Sequence, residues 1–458
     1  MISGTALNAL RRVVDPEHLL STPDELMEYG TDGTRLTFIP DAAIFPASQE
    51  QISQILKLAC KFGFAVVPRG AGSGMSGGSL PVNGGLVVGL NRLNRILKVD
   101  QDNLIAMVEP GVITADLQKT VEKKGLFYPP DPASKNISTI GGNVAECAGG
   151  LRAVKYGVTR DYVMGLTVVL PTGEIIKTGV ATMKGVAGYD LTRLITGSEG
   201  TLAIITSITL RLIPKPASKK TMLVLFPDVT SAAKTVSTVI NNKITPSILE
   251  FMDRICLECV QEEMEIEILP NAKAMLLIEV DGDPCILEQE AILIKKICQK
   301  YDCLSFEVAS DNKEAEKLWE ARRKTSPSLY KLRPHKISED IVIPRSQMPE
   351  LLSFLSELGN TYNLPIPSFG HAGDGNIHIN IMHDNNRSQD VSSVKAIIRA
   401  IFKKVIEMNG TITGEHGIGI TKAPYLDMEF DQAGIKLMKR IKKAFDPQGI
   451  LNPGKIFI

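Results

Sequence analysis

The chain has 458 residues, with 51 Lys plus Arg against 51 Asp plus Glu, 44% hydrophobic residues, 22% charged residues and 38 glycines. That length exceeds a single core and suits two or three domains. The composition is that of ordinary globular protein, not of a disordered or fibrous one. A zero charge balance without a dense Lys/Arg stripe argues against a phosphate-backbone partner, so nucleic acid is not expected.

The longest apolar runs, such as residues 162–170 and 274–278, fall short of the roughly 18 to 20 residues of a membrane helix. Arg11 and Arg12 stand where a signal peptide would need its apolar stretch. The expected compartment is the cytoplasm, with attachment to a membrane only through a partner subunit. Seven scattered cysteines suit a reducing compartment. Cys256 and Cys259 form a C-x-x-C with no second pair, in a helical pattern, and are expected to be reduced helix residues.

In chain order, residues 49–62 repeat apolar side chains at Ile52, Ile55, Leu56, Ala59 and Phe62, the spacing of one helical face. Strand-rich runs follow at 65–67, 86–90, 104–108, 163–170 and 201–213, separated by glycine or proline. A helix starts at a Thr114 cap and stops at Gly125. Two prolines and a polar run make a seam at 213–220. Beyond it, strand 222–226, helix 229–241, strands 248–251 and 274–280, helix 284–300 and strand 304–308 predict a split-βαβ, ferredoxin-like arrangement. Further helices are predicted at 311–324, 347–361, 391–408 and 431–445. The glycines mark the same boundary: 23 of the 38 fall between Gly63 and Gly200, whereas residues 201–358 contain only Gly282.

Residues 68–78, PRGAGSGMSGG, contain Gly72-x-Gly74-x-x-Gly77, a dinucleotide fingerprint as a string. A Rossmann site needs the third glycine to open a helix. Here the chain continues through Ser79, Pro81, Gly84 and Gly85 into another strand, so the context fails. Consecutive glycines can still hold a pyrophosphate on their backbone N–H groups.

Three further segments, residues 128–150, 155–175 and 197–206, follow this loop in order. Together they resemble the PCMH-type FAD-binding domain of the vanillyl-alcohol oxidase and p-cresol methylhydroxylase family over about residues 35–214. The resemblance implies an FAD whose pyrophosphate is wrapped by Arg69, Gly70, Ala71, Gly72, Ser73 and Gly74. Pro130, Asp131, Ser134, Thr139, Gly141, Gly142 and Asn143 would run beside pyrophosphate and flavin, and Glu199 and Gly200 near the adenosine half. Pro68, Gly149, Tyr156, Gly157 and Asn452 would complete the cofactor site. Members with covalent flavin often carry a histidine in the first loop; Ser73 stands there in this chain, so FAD is expected to be dissociable.

Of six histidines, three fall in two glycine-rich motifs. SFGHAGDGNIHIN, residues 368–380, carries His371 and His378; TGEHGIG, residues 413–419, carries Glu415 and His416. Two imidazoles and a carboxylate suit a divalent metal with open positions, and zinc, manganese and iron(II) all fit. His18, His335 and His383 lack such surroundings and read as structural.

These motifs, up to the NPGK at 452–455, resemble the C-terminal domain of the glycolate oxidase large subunit, D-lactate dehydrogenase and D-2-hydroxyglutarate dehydrogenase group. By that resemblance His371, His378 and Glu415 hold the metal, His416 takes the substrate hydroxyl proton and Asn380 touches substrate. Residues 317–326 resemble the segment whose arginine pairs with the substrate carboxylate, here Arg322. Ser326 and Ser338 replace the threonine and lysine of 2-hydroxyglutarate members, so a small monocarboxylate such as D-lactate or glycolate is expected.

The expected fold class is α+β. It comprises an N-terminal helical extension (1–34), a PCMH-type FAD domain (35–214), a ferredoxin-like substrate or cap domain (215–410) and a C-terminal segment (411–458) that completes the site. No iron–sulfur cysteine cluster is present. Electrons are therefore expected to pass to a separate acceptor: a quinone, a cytochrome, an electron-transferring flavoprotein or an iron–sulfur subunit. The expected assembly is an oligomer. Two competing readings are a non-catalytic FAD electron-transfer subunit and a D-2-hydroxyglutarate dehydrogenase.

Overall fold

The computed structural model describes residues 1–263 and 268–457. It forms two units, one of Met1–Gly149, Val158–Lys215 and Glu415–Ile458, the other of Gly150–Gly157 and Pro216–Gly414. Both mix helices with sheets, an α+β architecture.

In the first unit, helix Gln49–Phe62 starts where the Ser48 hydroxyl accepts the Gln51 N–H and ends at Gly63 in the left-handed region. Its buried face, Ile52, Ile55, Leu56 and Ala59, joins a core with Val66, Leu86, Val88, Val169 and Ile204. Strands Ala42–Ile44, Leu86–Gly89 and Val66–Arg69 pair in parallel, with Val66–Arg69 on the edge. That edge position tolerates Pro68, which has no N–H to give to a further strand. A five-stranded antiparallel sheet runs Ile96–Asp100, Ile105–Val108, Ile204–Arg211, Val163–Val169, Ile175–Gly179.

One helix of this unit, Ile140–Glu146, was not expected from its glycine-rich sequence, since glycine is a poor helix former. Tertiary contact decides it: the Thr139 hydroxyl caps the Gly142 N–H, and a Cβ on Gly141 would strike Pro110.

The second unit holds a seven-stranded antiparallel sheet. Its first four strands, in the order Ser305–Val308, Ser218–Phe226, Ala274–Gly282, Ile248–Asp253, have the ferredoxin-like 4-1-3-2 arrangement that the alternating strands and helices predicted. The sheet then continues through Ser368–His371, Asn376–His383 and His335–Val342. The histidine motif GHAGDGNIH therefore forms a hairpin, a placement its glycines and polar residues concealed. Helix Arg254–Val260 carries Cys256 and Cys259, both buried and reduced. Among the described residues no helix is long and apolar enough to cross a membrane.

Asp253 links two parts of this unit, accepting the Cys256 N–H at 2.8 Å and the Ser368 N–H at 2.6 Å. Burial pushes its carboxyl from 3.8 up to about 6, against the pull of those N–H groups. The folded state thus binds the proton more tightly than the unfolded chain, so this group costs stability as pH rises from about 4 to 6. The melting-temperature advantage of native protein over Asp253→Asn should shrink across that window, by the equivalent of roughly 3 kcal/mol. A pH-independent difference would refute the assignment.

Candidate active site

Strand Val66–Arg69 runs out into the glycine-rich loop at the wall of a first-unit cavity of about 320 Å³. Pro68, Arg69, Gly70, Ala71, Gly72, Ser73 and Gly74 line it, with Ser134, Thr139, Gly141, Gly142, Asn143, Gly149, Glu199 and Gly200. Glu146, Glu415 and His416 line it as well. Four segments far apart in sequence thus converge on one space.

The donor chemistry suits a pyrophosphate. Among the described residues, the N–H groups of Ala71, Gly72, Ser73 and Gly74 donate to no protein acceptor, and Arg69 is buried beside them. Burial lowers the Arg69 pKa, against the opposing pull of Asp32 and Glu28. Gly72 has φ 67°, and a Cβ there would run into the Arg69 guanidinium. A Gly72→Val variant should fold but hold FAD roughly 10- to 100-fold more weakly, since left-handed strain costs about 1–3 kcal/mol. The flavin-to-protein absorbance ratio after dialysis measures this; native stoichiometry would refute it.

Five residues assigned to the cofactor stand off this wall. Pro130 gives its carbonyl to the Gln118 side chain at 2.9 Å, and buried Asp131 pairs with Lys135 at 2.8 Å. Asn452 braces the wall from behind, donating to the carbonyls of Gly78 at 2.9 Å and Glu199 at 2.7 Å. Tyr156 and Gly157 belong to the second unit, where the Tyr156 hydroxyl donates to Asp281 at 2.8 Å.

Glu199, at φ 53°, turns its carboxylate onto the N–H groups of Ile418 at 2.8 Å and Gly419 at 2.6 Å. It thereby anchors the turn that carries Glu415 and His416. Gly417 follows at φ 81°, where a Cβ would meet Glu146 and Glu199. Burial, and next the charge of Glu199, push the Glu146 carboxyl well above its ordinary range. Glu199, holding two N–H groups, is the member of the pair that keeps the negative charge. Gly149 is required for a similar reason, because a Cβ there would press on the Glu415 carboxylate.

In the second unit, His371 and His378 are both buried, with ring centroids 5.1 Å apart at an interplanar angle of 87°. His371 lies opposite Glu250 on the neighbouring strand, and such cross-strand side chains meet on one face. The Glu250 carboxylate reaches His371 Nδ1 at 2.5 Å, while its other oxygen takes Arg322 Nε at 2.7 Å and Nη2 at 2.6 Å. Burial would raise the Glu250 pKa, but the charges of His371 and Arg322 outweigh it and hold it at about 2. Arg322 also stacks over Phe369 at 4.5 Å. Two of its five N–H donors are thus taken by a protein carboxylate, so only part of its fork is left for a ligand.

Asn380 is fully buried. Its Nδ2 donates to the carbonyl of His378 at 3.2 Å, and its Oδ1 is buried without a partner among the described residues. Asp340, also fully buried, accepts the Gly414 N–H at 2.8 Å and the Thr413 hydroxyl at 3.1 Å. Glu250, Asp340 and Glu146 were missed by sequence reasoning. For Glu250 the available signal was a lone acid inside an otherwise apolar strand, ILEF.

The family model for the C-terminal domain of FAD-linked oxidases matches residues 215–456, and that for an FAD-binding domain matches residues 40–179. The chain belongs to the FAD-linked oxidase family. It is 46% identical over its whole length to glycolate oxidase subunit GlcD of Bacillus subtilis, covering 97% of that protein. It is 35% identical to D-lactate dehydrogenase of Anaerostipes hadrus, over 95% of this chain and 92% of that one. Substrate-bound p-cresol methylhydroxylase shares the fold, with a TM-score of 0.81 at 17% identity over 99% of this chain and 96% of that one. This FAD-linked oxidase is thus a catalytic, FAD-dependent dehydrogenase, with a PCMH-type FAD domain and an α+β cap domain.

Proposed function

We propose that this FAD-linked oxidase converts a small D-2-hydroxy monocarboxylate, D-lactate or glycolate, to the 2-oxo acid and passes the electrons to a separate acceptor. The observation that carries the reading is the buried Glu250, His371 and Arg322 cluster beside His378. The names of the two similar proteins, a glycolate oxidase subunit and a D-lactate dehydrogenase, support the substrate class.

In this reading His371, His378 and Glu415, two buried imidazoles and a half-buried carboxylate, are the ligands of a divalent metal. The donor set fits: with Nδ1 engaged by Glu250, His371 would keep its other nitrogen for a metal, in the tautomer that a carboxylate partner enforces. When bound, the metal lowers the pKa of the substrate hydroxyl and FAD accepts the hydride from carbon. The remaining edge of Arg322 holds one substrate carboxylate, its orientation fixed by Glu250 and Phe369. Asn380 Oδ1 offers a hydrogen-bond acceptor to the substrate. His416 takes the hydroxyl proton on a ring nitrogen.

Anaerobic mixing with D-lactate, L-lactate, glycolate and D-2-hydroxyglutarate tests the proposal. D-Lactate or glycolate should bleach the flavin absorbance fastest. Failure of all four would overturn the substrate class, and bleaching by D-2-hydroxyglutarate alone would replace the monocarboxylate with the diacid.

A further inference from the structure

The overall charge balance conceals a local excess on helix Gln432–Phe445. Residues 436–443, KLMKRIKK, hold five cations and no acid. One side of the helix packs on the first unit: Ile435, Met438, Ile441, Lys442 and Phe445 are half-buried. On that side Lys442 is neutralised by buried Asp446 at 2.5 Å and donates to the carbonyls of Thr201 and Leu451, each at 2.7 Å. Thr201 follows Gly200 of the cavity wall, so the inner side of the helix is tied to the space assigned to FAD.

The other side carries Lys436, Lys439, Arg440 and Lys443, all exposed. Their spacing, i, i+3, i+4 and i+7, puts them in one row. Among the described residues none of the four pairs with a carboxylate; Lys439 lies over the Phe457 ring at 5.7 Å and Lys443 donates to the Pro447 carbonyl. The nearby acids in the chain stand elsewhere: Asp427 and Glu429 precede the helix, Asp431 caps Gly434 at its start, and Asp446 pairs with Lys442. Like charges at these spacings repel and weaken a helix, a cost that an anionic partner removes. Leu437 is the one large apolar residue exposed on the helix, so this face has no apolar stripe to sink into a bilayer.

We propose that this row of cations is the docking site for an acidic face of the protein that takes electrons from the flavin. The inference rests on the reading of a separate acceptor. Opposite charge steers such a partner and fixes its register, and it suits the small, short-lived contacts of electron carriers. With a one-electron haem carrier, each reduced flavin gives its two electrons to two ferric haems and releases its protons to solvent.

The test mixes the holoenzyme, its flavin reduced photochemically so that no hydroxy acid is involved, with ferric cytochrome b5 as the acidic carrier and ferric cytochrome c as the basic one. Flavin reoxidation by cytochrome b5 should slow about tenfold between about 20 and 200 mM salt. It should also slow about tenfold at low salt in the combined variant Lys436→Glu, Lys439→Glu, Arg440→Glu, Lys443→Glu, with which cytochrome c should react faster. Calorimetric titration of the two oxidised proteins should show the same loss of affinity, whereas Lys395→Glu, at an exposed charge on helix Ser388–Glu407, should change neither. If the combined Glu variant fails to fold, Gln at the same four positions removes the charge without reversing it, and should lose the salt dependence with native circular dichroism. A salt-independent rate with cytochrome b5, or undiminished rate and affinity in a folded variant, overturns the proposal. So does a loss confined to sedimentation with phosphatidylglycerol vesicles, which would make the row a membrane contact. Failure of hydroxy acids to bleach the flavin bears on the substrate and leaves this result standing.

Discussion

Glu250→Ala should cost the cap unit about 3–5 kcal/mol, because it leaves the buried Arg322 and His371 without their shared carboxylate. Urea unfolding followed by circular dichroism measures that loss. Glu250→Gln separates the structural effect from the functional one. It keeps the shape and one acceptor, but removes the charge that fixes the His371 tautomer and opposes Arg322. The Gln variant should therefore fold, while metal affinity and turnover fall about 10- to 100-fold, the usual cost of losing a carboxylate behind a liganding imidazole. Metal affinity is read by competition with a chelator, apart from any turnover assay. Native affinity in a folded Gln variant would show that Glu250 only holds the strands together.

His416→Ala should slow flavin reduction by about 10²- to 10⁴-fold, the range for loss of a positioned base, with FAD content unchanged. The retained cofactor is the discriminating part. His416 lines the first-unit cavity but lies outside the glycine loop and Arg69, the groups proposed to hold the pyrophosphate. Stopped-flow reduction under anaerobic conditions gives the rate, and the absorbance ratio gives the cofactor. Reduction within threefold of native would remove His416 from proton transfer, and loss of FAD would make it a cofactor contact instead.

The fold was legible where one element carries its own period. Helix Gln49–Phe62 and the strand and helix alternation after residue 218 follow from apolar spacing alone. The strand bearing His378 was legible, since Asn376, His378 and Asn380 alternate with isoleucines, but its hairpin pairing with Ser368–His371 was not, because that partner is four residues long and followed by a glycine-rich turn. The helix at 140–146 was hidden by its glycines, of which Gly141 is required by contact with Pro110.

The sequence by itself determined the chemistry on offer: a glycine loop with free N–H groups, two histidine motifs and an arginine, each recognisable from spacings of a few residues. Only the tertiary structure decided how those groups are committed. Glu250 stands 121 residues from His371 and 72 from Arg322, and no local pattern links them. Strand register brings the three together, and burial makes their pairing obligatory. Arg322, read from sequence as a hand held out to substrate, thus has one edge already taken. Glu199, read as a neighbour of adenosine and lining the same cavity as the glycine loop, also anchors the turn of His416. Short-range spacing writes which groups exist; the cost of burying a charge without a partner fixes what each one holds.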